Sequence, residues 1–318
     1  MILKNWMRVL KVVLKRKNDL NGQAIVFGDN KYPFENLDIN VQIFKYMSTA
    51  KDNALISITN LTYSKVIEIM VSKFYSVEII CGYEYGNQFL VFKGQVLRIS
   101  NTLLSNRSNV INILCGSDLI ARFSQATLNF SLNSGINMYS AISFMAKASG
   151  INKVNTNISN QFKRQFLSDN ISSNDTIGSF LTNMTNNNPY YIINSDASTG
   201  STFSIFDARK SNNRVIKIKN GDFIGGFPRL DSEGLTFSVL PSFNFAPGDV
   251  IIIDNSLINL ENITNIGQLS TQPGMYLDKN GAYMIMSIDY KLENRSSSFA
   301  CNIKAKARSL ISNYIGEI

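Results

Sequence analysis

Strict alternation of apolar and polar residues is the feature that limits this chain most. Asp38-Ile39-Asn40-Val41-Gln42-Ile43 and Ile56-Ser57-Ile58-Thr59-Asn60 repeat with period two. That period puts the apolar side chains on one face of an extended strand and leaves the other face wet. Strands are also expected at Val77 to Cys81, at Gln88 to Phe92 continuing through Gly94 into Ile99, and at Asn109 to Cys115. One helix interrupts them. Thr62 or Ser64 can cap it, and the apolar residues Val66, Ile67, Ile69, Met70, Val71 and Phe74 suit a short helix between 62 and 74. Strands around a single helix describe a small barrel or sandwich, here assigned to residues 1–122.

The first residues allow more than one reading. Charges interrupt their apolar run and no small-residue cleavage site follows, so a signal peptide does not fit. Basic residues with Trp6 have the makings of an amphipathic membrane helix. The β-rich run Arg8 to Lys15 favours a short start followed by a strand.

The centre changes character. Asn137 to Ser149 places Ile142, Met145 and Ala146 at helical spacing, and Gly150 is a suitable stop. Beyond Phe166-Leu167-Ser168, a second helix is expected, with Ser173 or Asn174 as cap and Ile177, Phe180, Leu181 and Met184 as its apolar stripe. Pro189 lies beyond it. Tyr190 to Asn194 and Thr202 to Phe206 read as a hairpin across residues 196–200. Together these make an α+β insertion, residues 123–212.

From Arg214 the pattern is β again, at 214–218, 235–240, 250–253, 281–290 and 297–306, the last two joined through Glu293 to Ser296. Residues 255–280 read as a polar link. Within Gly225 to Asp254, a Gly-Gly-Phe-Pro corner leads into a strand, then a stiff connector with Pro241 and Pro247-Gly248-Asp249, then a second strand. Proline fixes φ and glycine supplies the conformation a tight turn needs. These residues, 213–318, form a second β-rich domain.

Little in the chain points to chemistry. It contains no histidine, which removes Ser-His-Asp triads, Cys-His pairs and histidine metal sites. Cys81, Cys115 and Cys301 are far apart in apolar contexts and read as small buried hydrophobes in a reducing compartment. Asp231 and Glu233 are the nearest approach to a glycosidase carboxylate pair, but adjacent loop acids are usually solvated. No GxxxxGK[ST] occurs and no GxGxxG precedes a helix; Cys115-Gly116-Ser117-Asp118 has no following glycine. Lys73-Phe74-Tyr75 and Phe162-Lys163-Arg164-Gln165-Phe166 interleave bases and aromatics, as single-strand nucleic-acid sites do, and read more simply as core aromatics beside a wet face. The net charge of +8 is concentrated in residues 1–17, which hold six bases and no acid, leaving 25 bases against 23 acids elsewhere. That is a terminal patch, not a stripe along the whole fold, which weakens the case for a dedicated nucleic-acid groove. No apolar run is long enough for a transmembrane helix. A large chain without a chemical site points to function through surfaces: no enzyme activity, cofactor or metal is expected.

Three blocks in order resemble the central baseplate hub proteins of contractile-tailed bacteriophages. The first is Ile58 to Thr62, the helix, Val77 to Tyr83 and Leu90 to Val96, with Cys81 where the family usually has alanine. The second is the helix Tyr139 to Ala148 followed by an aromatic hairpin. The third is Gly225 to Asp254 followed by Gly281-Ala282-Tyr283. The resemblance spans about residues 6 to 308. It implies a mainly β fold: two tail-tube-like barrel or sandwich domains flanking a small α+β domain. It also implies a homotrimer that joins a sixfold tail tube, or a tube-initiator protein, to a threefold central spike. Baseplate wedge proteins are further possible partners. The genome would pass through the channel without sequence-specific binding, and no membrane insertion is implied. Such a protein is assembled in the host bacterial cytoplasm and resides in the virion. Gly226, Pro228, Pro247 and Gly248 match turn positions of the family, which implies that they shape the second β-domain. The basic start departs from the pattern and is open to contact with the tube, a wedge protein or the genome path. A peptidoglycan-degrading tail enzyme, a tube-end or distal tail protein, and a peripheral membrane protein led by residues 1–17 are the alternatives.

Overall fold

The computed structural model describes residues 8–16, 24–28, 37–46, 52–72, 74–103, 109–117, 127–148, 153–157, 171–176, 191–195, 202–207, 214–231, 233–260 and 277–308. The protein is mainly β, and one large sheet dominates it. Its first seven strands are β1 (Arg8–Arg16), β2 (Ile25–Phe27), β3 (Asp38–Tyr46), β4 (Asn53–Thr59), β5 (Phe74–Tyr83), β6 (Gln88–Leu103) and β7 (Asn109–Ser117). The C-terminal stretch adds β13 (Val215–Lys217), β14 (Arg229–Asp231), β15 (Gly234–Val239), β16 (Val250–Ile252), β17 (Asn259–Leu260), β18 (Ala282–Glu293) and β19 (Phe299–Ala307). The order across the sheet is β17-β14-β15-β19-β18-β3-β4-β7-β6-β5-β1-β2, with β16 on β18 and β13 on β16.

The two β-rich stretches, far apart in sequence, meet at β3 and β18. Ser287 pairs with Tyr46, and the antiparallel register runs on to Glu293 against Asn40. Strand β18 can serve two partners on one edge because its 12 residues reach roughly 40 Å at about 3.3 Å each. Residues 282–284 bond β16, a bulge intervenes between Ile285 and Ser287, and the rest bonds β3.

Period two sets the core. Leu10, Val12 and Leu14 of β1 are buried, as are Ile39, Val41 and Ile43 of β3, Ala54, Ile56 and Ile58 of β4, and Ile288, Tyr290 and Leu292 of β18. All belong to one hydrophobic cluster. The sheet curls over this face. Five strands lie between β5 and β19 in the order, yet the rings of Tyr83 and Phe299 meet edge to face at 5.8 Å. The Arg8 guanidinium lies 5.2 Å over the Phe299 ring and donates to the Ser296 carbonyl. Helix α1 (Tyr63–Val71) inserts Val66 and Ile69 into the same core. Its N-cap Thr62 makes no side-chain cap bond; the Thr62 hydroxyl lies instead 3.3 Å from that of Ser64.

The middle residues form two small sheets and helix α2 (Met138–Ala148). Strand β8 (Thr127–Leu132) pairs antiparallel with β10 (Ile171–Thr176). Strand β12 (Thr202–Asp207) pairs antiparallel with β11 (Tyr191–Ser195) and parallel with β9 (Lys153–Asn157). The expected central helix and aromatic hairpin are both present. The expected capping role of Ser173 and Asn174 is corrected: both lie in β10, opposite Phe130 and Asn129. Short polar side chains suit a cap by local preference, and strand pairing overrides that preference here. The helical stripe from Ile177 to Met184, Gly150, and Phe162 to Ser168 lie outside the described residues. Strands β14 and β17 lie where the sequence pattern predicts a corner and a polar link.

Candidate functional site

The connector between β15 and β16 is built around a turn. The Asp249 amide donates to the Ala246 carbonyl at 3.1 Å, and Gly248 between them has φ +91°. Proline then glycine with positive φ is the sequence of a type II turn. Pro247 and Gly248 are buried, and the Gly248 amide donates to the Ile285 carbonyl at 2.8 Å, which fastens the turn to the β18 bulge. The Asp249 carboxylate closes it, accepting from the Ala246 amide at 2.9 Å and from Arg214 at 2.5 Å. Burial pushes the Asp249 carboxyl above its ordinary range, and Arg214 only partly offsets this. Nearby, the ammonium of buried Lys45 lies 5.6 Å from the centre of the Tyr290 ring.

Gly225 (φ +73°) and Gly226 (φ +129°) form an exposed corner where an added Cβ would meet nothing within 4 Å. The corner is anchored at both ends: the Ile224 amide donates to Ser238 at 2.9 Å, and buried Pro228 accepts from the Asn259 amide at 2.8 Å. Asp231 and Glu233 lie at the β14–β15 turn. Asp231 accepts the Glu233 amide at 2.7 Å, and the Glu233 carboxylate meets Lys304 at 2.5 Å. This contact holds the Glu233 carboxyl below its ordinary range. The pair is therefore engaged in turn and surface contacts.

The Gly225–Phe227 corner is one lip of a cleft of about 560 Å³ on the outer face of the sheet. Two rows of side chains make its floor. Phe44, Asp289, Asn302 and Ser238 are consecutive cross-strand neighbours; so are Tyr46, Ser287, Lys304, Thr236 and Arg229. The Phe44 and Tyr46 rings stack at 6.4 Å, and the Ser238 hydroxyl donates to Asn302 Oδ1 at 2.6 Å. No local sequence pattern announces this cleft, because its floor joins residues about 260 positions apart. The only local signal was the Gly-Gly-Phe-Pro corner.

Other surfaces are apolar. Helix α1 turns Tyr63, Ile67, Met70 and Val71 outward, and Tyr63 and Val71 are about three-quarters exposed. At the ends of the sheet, β2 and β17 each bond a single strand among the described residues. Of the aromatic–basic runs, Phe74 belongs to the core, with Arg16 5.6 Å over its ring. Cys81, Cys115 and Cys301 are buried free thiols. Among the described residues no group of three or more acids or cysteines forms a metal site, and no helix is long and apolar enough to cross a membrane.

No family profile matches the chain, and no curated protein matches it. Solved structures do. A 43 kDa tail protein of prophage MuSo2 from Shewanella oneidensis is similar at TM-score 0.60 and 11% identity, over 95% of this chain and 99% of that one. A tail protein from Neisseria meningitidis MC58 gives TM-score 0.60 and 11% identity over 96% and 98%. A type VI secretion component of E. coli, itself similar to T4 bacteriophage tail proteins, gives 0.53 and 9% over 85% and 73%. The fold of this chain is that of phage tail proteins and their secretion-system counterparts.

Proposed function

We propose that the protein is a structural tail component, the trimeric hub at which a sixfold tube meets a threefold spike and through which the channel continues. The observation that carries this reading is the tail-protein fold over 95% of the chain. In this reading residues 1–122 and 213–318 act as two alike but unequal tube-like units, so three chains offer six similar contacts upward and threefold contacts downward. Residues 123–212 form the insertion between them.

The exposed face of α1 and the single-sided end strands support assembly, since such surfaces are normally covered by a neighbour. The turn around Pro247 and Gly248 and the corner at Gly226 and Pro228 hold the second unit in shape. The working location is the baseplate of a virion, with tube, spike and wedge proteins as partners. Antibody labelling of intact particles tests this: label at the tail tip is expected, and label confined to the head or absent from particles overturns it. Zymography on peptidoglycan separates the enzymatic alternative, for which cleared zones are the signature.

A further inference from the structure

Beyond assembly, we propose that the outer cleft is a binding site for a pyranose oligosaccharide. Its floor is made of strands β3, β18, β19 and β15, and each is hydrogen-bonded on both sides. The floor offers no backbone edge, so a ligand meets side chains there, which disfavours an added peptide strand. Neighbouring strands stand about 4.8 Å apart, so the two rows form a grid on the scale of a sugar ring.

The grid alternates hydrogen-bonding character. Asp289 accepts, the Asn302 amide nitrogen and Arg229 donate, and the Ser287 hydroxyl does either, while Ser238 and Thr236, whose protons go to Asn302 Oδ1 and the Arg229 carbonyl, accept. Polyhydroxylated rings need that mixture. Aromatic faces flank it: Phe44 and Tyr46 at one end, and Phe227, about half exposed, on the glycine corner. Such rings suit the apolar C–H face of a pyranose. A cleft of about 560 Å³ falls in the ordinary range of ligand pockets. Nucleic acid fits less well, because the Asp289 carboxylate is on the floor and Lys304 is held by Glu233.

The test is calorimetric titration of the full chain with cellotetraose and with chitotetraose. At least one should bind saturably. Tyr46→Ala and Asp289→Asn should each weaken that binding about tenfold or more. Phe227→Ala, a change at an exposed corner that leaves the core intact, should act in the same direction. Tyr85→Ala, exposed and outside the cleft, should leave binding unchanged. Unchanged melting temperatures verify that the variants are folded. The proposal is overturned if neither sugar binds the wild-type chain, if binding survives Tyr46→Ala and Phe227→Ala, or if oligothymidylate or a peptide competes for the same residues more strongly. The result is read independently of whether three chains form a ring, which the particle mass reports.

Discussion

Glu78 shows how single charges act on the outer face. It lies on β5 between Lys15 at 2.8 Å and Lys93 at 3.2 Å. Partial burial pushes its carboxyl up, but the two lysines outweigh this and hold it below its ordinary value of 4.5. A carboxyl lowered in the folded state stabilises above its unfolded value, and that stability is lost as pH falls through the folded one. Glu78→Gln should therefore flatten the fall of melting temperature below about pH 4.5, while Glu233→Gln, at a fully exposed site, should change it little. The thiols work in the opposite window. Burial pushes Cys81 and Cys115 up to about 12 from 9.0, so the unfolded chain ionises first and stability falls as pH rises between those values. Native protein should accordingly resist thiol-labelling reagents at neutral pH, and all three cysteines should react on unfolding. Fast labelling of the native chain would contradict their burial. At Gly248, alanine has to adopt φ +91° in a buried turn, so Gly248→Ala should cost about 1–3 kcal/mol in denaturant unfolding.

At the scale of elements, the seam between β3 and β18 decides the architecture. Strand β3 is bonded on both sides, to β4 and β18, so a proline in its middle removes a ladder bond whichever way the amide points. Ile43→Pro should abolish or strongly reduce folded yield, and hydrogen exchange should show β3 and the C-terminal half of β18 losing protection together. Independent loss would contradict a shared seam. Most strands were legible in the sequence, because one wet face forces a period-two pattern: Asp38 to Ile43 and Ile56 to Asn60 announce themselves. Residues 171–176 did not, because Ser172, Ser173, Asn174 and Asp175 carry a cap-like signal and become a strand only by pairing with β8. Strands β14 and β17, three and two residues long, are too short for any period to show. The register of Tyr46 with Ser287 depends on long-range pairing that no local pattern encodes, and the cleft depends on that register.

At the scale of the whole molecule, a single hydrophobic cluster spans strands from both ends of the chain. Residues 8–117 and 214–307 should therefore lose structure in one cooperative transition, and two separated transitions by different probes would contradict the continuous core. In the hub reading proposed above, this shared core would hold the two tube-like units rigidly, and the outward apolar face of α1 would be a surface for a neighbour to cover. The measurement that bears most directly on the hub reading is the mass of the purified chain by light scattering, combined with averaged electron-microscope views. Three times the 35.5 kDa chain, as a threefold ring of near-sixfold appearance around a central channel, is the predicted result. A particle that remains at 35.5 kDa at every concentration, with no ring, would contradict it.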